Sequence, residues 1–263
     1  MRILFIGDIL GHPGRRIVKE TLPRLREELQ PDLVLANAEN AAAGFGITPP
    51  LVEELLDLDI AVLTSGNHIW DKKEIYPYFR DQVNGRLLRP ANYPGDSPGR
   101  GLYVGKSPAG IAYAVINLQG RIFMPPLDCP FRKADELISS IPKDVKIRIV
   151  DMHAEATSEK QALGWYLDGR VTAVVGTHTH VPTADETVLP QGTAYQTDLG
   201  MTGPYESVIG MEREAIIQKF LDQLPSRFEV AKGDVRLCGV LIEADPETGH
   251  ALSIQRILRK QSS

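Results

Sequence analysis

Cysteine is scarce: the 263-residue chain has only Cys129 and Cys238, with no CxxC spacing. That excludes a disulfide framework and a thiolate-rich structural zinc site, and it suits free thiols in a reducing compartment. Basic charge is not in excess either. Lys and Arg total 29 against 34 Asp and Glu, a formal net charge of −5. A broad nucleic-acid surface or a polybasic membrane patch is not expected from that balance. Long hydrophobic runs are missing, and the apolar stretch at Ile3–Ile6 is too short for a signal peptide or a membrane span. The expected location is the cytoplasm. There is no internal repeat, low-complexity segment or clear linker, so residues 1–263 are expected to form one domain. At 43% hydrophobic and 24% charged, the chain can build a sizeable core without a disulfide.

Histidine is also sparse, at six residues, yet two of them fall in Val171-Thr172-Ala173-Val174-Val175-Gly176-Thr177-His178-Thr179-His180. The β-branched run reads as a buried strand stopped at a glycine. If the backbone stays extended beyond Gly176, His178 and His180 project to the same side. Two imidazoles at the mouth of a buried strand suit a divalent cation, and the rest of the chain must supply the other ligands.

Other strands end in the same way. Ile3–Ile6 runs into Gly7-Asp8, Asp32–Asn37 into Ala38-Glu39-Asn40, and Ile60–Thr64 into Ser65-Gly66-Asn67-His68. Lys146–His153 reads as a further strand, ending in its histidine. One polar strand end is an ordinary turn. Repeated polar ends on buried strands indicate one site assembled along one sheet edge, where α/β folds collect ligands.

Between these strands, Gly11–Gly14 reads as a loop. A helix follows over 15–29, which Pro23 is expected to kink or split. Helices are also expected at Pro49–Leu58, from Trp70, over 131–141, through Leu163–Leu167 and over Met211–Leu224. Asn84 to Gly110 is rich in turn residues. Leu102–Val104 and Ile111–Leu118 read as antiparallel strands, and Val235–Ala244 with Leu252–Leu258 as a closing hairpin. Gln196–Gly203 reads as a polar loop, with Asp198 a turn residue. His12 has no assigned role, and His250 reads as solvated.

The candidate ligands are therefore Asp8, Glu39, Asn40, Asn67, His153, His178 and His180. Carboxylate, amide and imidazole donors without thiolate favour two divalent or transition-metal ions, with Fe or Mn foremost and Zn or Mg after them. Glu39 has two oxygens with which to bridge a pair of ions. Such a pair can hold a hydroxide nucleophile and neutralise a phosphoryl group during in-line attack. His68 is surplus to the ligand count. Its natural role is catalytic, as general acid toward the leaving alkoxide or as a donor to a phosphoryl oxygen.

The order of these motifs resembles the calcineurin-like metallophosphoesterase superfamily. Gly66-Asn67-His68, His153 and Gly176-Thr177-His178-Thr179-His180 carry the resemblance, the last with one inserted residue after the glycine. Two departures point to its YmdB-like branch. Leu10 stands where a first histidine ligand is usual, and Glu39-Asn40 replaces the bridging aspartate. The resemblance implies a four-layer α/β/β/α sandwich of the metallo-dependent phosphatase type, with a dinuclear site at the strand C-termini. It implies a metal-dependent phosphodiesterase acting on cyclic nucleotides, notably 2′,3′-cyclic ones. The partner would be a small-molecule phosphodiester, with no stable nucleic-acid complex and no membrane, and the chain would form a homo-oligomer. Two other readings remain open on the residues alone. One is a phosphomonoesterase or protein phosphatase with the same metals, and the other a non-enzymatic regulator that keeps the fold.

Overall fold

The computed structural model describes residues 1–81 and 85–261; Asn84, the expected start of the turn-rich stretch, lies outside them. In chain order the elements begin β1 (Arg2–Ile6), β2 (Asp8–Ile9), α1 (Gly11–Leu29), β3 (Leu33–Asn37), α2 (Pro49–Leu56) and β4 (Val62–Thr64). A 3-10 turn (Asn67–Trp70) precedes α3 (Ile75–Asp81). Then come β5 (Leu102–Lys106), β6 (Ala112–Gln119), α4 (Pro130–Ser140), β7 (Ile147–His153), α5 (Thr157–Leu167) and β8 (Ala173–Thr177). The chain continues through β9 (Thr187–Val188), β10 (Ala194–Gln196), β11 (Met201–Pro204), α6 (Arg213–Asp222), β12 (Val235–Ala244) and β13 (Ala251–Lys260).

These strands form two sheets. The first has the order β2-β11-β12-β1-β3-β4, with β13 also paired to β12; the second runs β5-β6-β7-β8-β10-β9. Within them β1-β3-β4 and β6-β7-β8-β10 are parallel, so their C-terminal ends share an edge in each sheet. The continuous apolar runs noted in the sequence are what a strand covered on both faces requires. In β1, Ile3 and Phe5 join an apolar cluster shared with Val115 and Ile149 of the second sheet. Leu4 and Ile6 point the other way, into a cluster with Ile17, Leu22 and Leu25 of α1 and Val52 of α2. A third cluster joins Ile116 and Val150 of the second sheet to Ala134 of α4 and Leu163 of α5.

Several local expectations fail. Gly11–Gly14 is the first turn of α1 rather than a loop. Pro13 is tolerated there because the first N–H groups of a helix have no intrahelical partner. Helix α1 is also not split at Pro23 but runs on through it, with Leu22 and Leu25 buried on either side. Apolar burial outweighs the single lost backbone bond. Trp70 closes a 3-10 turn instead of opening a helix, and α6 is shorter at both ends than its periodicity suggests. Part of the expected polar loop 196–203 is strand β11, paired with β2 and β12. Among the described residues, no helix is long and apolar enough to cross a membrane.

Candidate functional site

Asp8, Glu39, Asn40 and Asn67 follow strands of the first sheet, whereas His153, His178 and His180 end or follow strands of the second. Their convergence is closest around His153. Its Nε2 lies 2.9 Å from Asn67 Oδ1, 3.1 Å from Glu39 Oε1 and 3.1 Å from His178 Nδ1. One ring nitrogen cannot satisfy three such neighbours through one hydrogen. Glu39, His153 and His178 offer donor atoms that all lie within 4.8 Å of one another. This crowd of lone-pair donors fits a shared cation.

A second group adjoins it. The Asn40 side-chain amide lies 3.2 Å from Glu39 Oε1 and 3.1 Å from His180 Nε2. Asp8 is fully buried; its Oδ2 accepts the His178 backbone N–H at 3.0 Å, while its Oδ1 has no hydrogen-bond partner. An unpaired buried carboxylate oxygen is costly, and a metal would satisfy it. Gly66 completes the cradle, since a Cβ there would overlap the His153 ring and Glu39 Oε2. The donor set fits the metal cluster implied by the sequence resemblance.

Electrostatics follow from burial. Burial pushes the Asp8 carboxyl up to about 6, partly countered by His180 and His153. Burial also opposes ionisation of Glu39, but His153 overcomes it and holds that carboxyl down at about 2. Burial works against an imidazolium at His153 as well, yet Glu39 and Asp8 lift it to about 8. His178 is pushed down to about 3 by burial and by the charge of His153.

Other contacts fix the rings. His153 Nδ1 lies 2.9 Å from Thr177 Oγ1, whose hydroxyl donates to Asp151 at 2.7 Å. That pairing directs Nε2 at the cluster. Glu155 does the equivalent for His178, with Oε2 3.0 Å from Nε2, and the Ile209 carbonyl does it for His180, 2.9 Å from Nδ1. His68 stands beside the cluster. Its backbone N–H donates to Glu39 Oε2 at 3.1 Å, and its Nδ1 lies 2.8 Å from Asp71 Oδ2.

The expected extension beyond Gly176 does not occur. Strand β8 stops at Thr177, and His178 and His180 have φ of 100° and 66°. Their convergence comes from a strained turn and not from period-two alternation. Asp198 is not a plain turn residue either. It is fully buried, and its Oδ2 accepts from Lys160 Nζ at 2.7 Å and from the Thr179 backbone and hydroxyl at 3.1 and 2.7 Å. The sequence offered no local signal for this pair, because 38 residues separate its members. Asp151 was more accessible to inference, two residues before His153 on the same strand face. His12 and His250 stay apart: His12 lines a separate surface cavity with Arg16 and Arg227, and His250 sits in another with Lys146 and Arg148.

A cavity of about 410 Å³ opens over the cluster. Its lining combines Glu39, Asn40, His68, Glu155, His178 and His180 with the apolar Phe45, Ile209, Met211, Ile216 and Phe228.

Known proteins are similar to this chain over nearly its full length. A relative from Bacillus subtilis strain 168, named 2′,3′-cyclic-nucleotide 2′-phosphodiesterase, is 54% identical over 98% of this chain and 97% of its own. A crystal structure of a novel phosphatase from Mycoplasma pneumoniae superposes with a TM-score of 0.91 at 36% identity, covering 99% of this chain and 93% of that one. A Thermus thermophilus protein, described only as hypothetical, superposes with a TM-score of 0.92 at 43% identity over the full length of both chains. The model of the YmdB-like protein family matches residues 4–257, and the chain belongs to that family.

Proposed function

We propose that this chain is a metal-dependent phosphodiesterase that opens 2′,3′-cyclic nucleotides by hydrolysing the 2′ ester. The observation that carries the reading is the convergence of lone-pair donors on His153 Nε2, beside a cavity that admits a small ligand. The Bacillus relative's name supports the substrate class and the bond. In this reading Asp8, Glu39, Asn40, Asn67, His153, His178 and His180 would hold two metal ions, Fe or Mn. Bound there, the metals would supply Lewis-acid activation of water and neutralise charge on the phosphoryl group.

The chain's own residues orient and protonate. In the net reaction a water oxygen joins phosphorus, the P–O2′ bond breaks, and a 3′-phosphomonoester with a free 2′ hydroxyl results. The departing 2′ alkoxide needs a proton. In this reading His68 gives it from Nε2, which the contact of Asp71 with Nδ1 supports by leaving Nε2 for the substrate. The three apolar clusters support the four-layer sandwich of metallo-dependent phosphatases, formed as a single domain. A cytoplasmic homo-oligomer belongs to the same reading and rests on the family resemblance.

The test is metal analysis of unsupplemented protein, coupled to rates on a 2′,3′-cyclic nucleotide and a matched monoester. Two metals per chain and a higher kcat/KM on the diester are expected. A higher value on the monoester would replace this reading with a phosphomonoesterase.

A further inference from the structure

The mechanism above assigns no role to the apolar side chains that line the site cavity. Phe45, Met211, Ile216 and Phe228 line it, and none of these side chains carries a hydrogen-bond donor. We propose that this wall is a nucleobase subsite, which holds the base of the substrate by apolar contact with its ring face and does not read its edge. The inference rests on the phosphodiesterase reading and deepens it.

The wall is built and not merely exposed. Phe45, Ile216 and Phe228 pack against a small core of Leu10, Met201 and Met211. Leu10 and Met201 are in turn fixed by Gly210, whose φ is 100° and where a Cβ would come within 2.6 Å of Leu10 Cδ1. Ile209 holds a φ of 46°, which a β-branched residue rarely adopts. That conformation accompanies the 2.9 Å contact between its carbonyl and His180 Nδ1. The same short segment therefore contacts a candidate metal ligand and contributes Ile209 and Met211 to the cavity lining, which ties the two to one piece of backbone.

Shape and chemistry select the ligand. At about 410 Å³ the cavity lies at the small-molecule end of ordinary ligand sites. The histidine and carboxylate lining suits a phosphate, and the apolar side chains of the same cavity suit a flat ring linked to that phosphate through a sugar. Phe45 already sits edge-on to His68, with ring centroids 5.1 Å apart, so the wall reaches the proposed proton donor. Every base presents a π-face, and apolar or aromatic contact is tolerant of base identity. Four-base tolerance is the consequence.

Steady-state kinetics of the metal-loaded protein on the four 2′,3′-cyclic nucleotides and on the 2′,3′-cyclic phosphate of 1-O-methylribose provide the test. Calorimetry of a nucleoside 3′-monophosphate against the matching base-free ribose phosphate provides a binding readout. The wild-type protein is expected to favour base-bearing ligands about tenfold in both measurements, with the four bases within a few-fold of one another. Phe228→Ala and Ile216→Ala should each collapse that preference toward unity, chiefly through KM. Equal treatment of base-bearing and base-free ligands by the wild type overturns the subsite, as does a preference that survives both variants. A hundredfold preference for one base overturns the claim that the edge is not read. Failure to hydrolyse any diester would instead overturn the enzyme reading, and the calorimetry would still decide the subsite.

Discussion

His153 Nε2 has more close neighbours than one hydrogen can serve, and that excess has a pH signature. With metals stripped, the proton on His153 is stabilised by Glu39 and Asp8, and the ring titrates at about 8 against an ordinary 6.5. A raised histidine contributes stability fully below its unfolded value and loses it as pH rises through the folded one. Chelated protein should therefore lose about 2 kcal/mol of stability between pH 6.5 and 8. Metal affinity should rise across the same window, because the metal requires the neutral ring. Denaturant titrations of chelated protein at several pH values check the first slope, and a flat profile would mean that His153 is neutral in the stripped site. His68 gives a separate outcome at this scale. His68→Ala should keep its metals and lower kcat roughly 10²–10⁴-fold. The loss should be smaller on a diester with a nitrophenolate leaving group, which needs less protonation. Equal losses on good and poor leaving groups would make His68 a phosphoryl contact. The sequence singled out these residues as candidates because ligand chemistry restricts residue type. It did not show Thr177 as the partner of His153, since a threonine just after the glycine that stops a strand looks like any turn residue.

At the scale of elements, the informative failure is the turn after β8. Alternation predicted that His178 and His180 share a side, and the structure brings both to the site through positive φ at both residues. Such a turn stores strain and needs outside support. Asp198 supplies it from the segment between β10 and β11, by gripping the Thr179 backbone and hydroxyl while Lys160 of α5 neutralises its charge. A buried ion pair missing one partner costs more than the pair is worth. Asp198→Asn should keep the shape but weaken the grip on Thr179, reducing metal affinity about tenfold or more with the fold retained. Lys160→Met leaves Asp198 charged and uncompensated, so it should destabilise by about 3–5 kcal/mol. Thermal melts and metal competition assays separate the two effects. An Asp198→Asn protein with undiminished metal affinity would show that the turn holds itself. Nothing local in the sequence joins Lys160 to Asp198. Their pairing depends on how α5 packs behind β8, which is a property of the assembled sheet.

At the scale of the whole molecule, the two sheets bring different halves of the donor set. Asp8, Glu39, Asn40 and Asn67 arrive with the first, and His153, His178 and His180 with the second. The strand ends and their order were legible in the sequence because each buried run stops at a polar cluster. The division between sheets was not, because pairing partners lie far apart in the chain: β1 pairs with β12 across nearly its full length. Metals bound at this seam would tie the sheets together, and ligands that bind only the folded state stabilise it by mass action. At free metal a hundredfold above Kd, each independent site adds about 2.7 kcal/mol. Chelation should therefore lower Tm by several degrees, with hydrogen exchange rising first at the C-terminal ends of β3, β4, β7 and β8. Gly66→Ala should mimic part of that loss without chelator, since its Cβ would push against His153 and Glu39 from opposite sheets. In that variant, adding EDTA should shift Tm less than it does in the wild type. If chelation leaves Tm and the exchange pattern of the wild type unchanged, the metals do not bridge the seam, and the apolar cluster between the sheets alone holds them together.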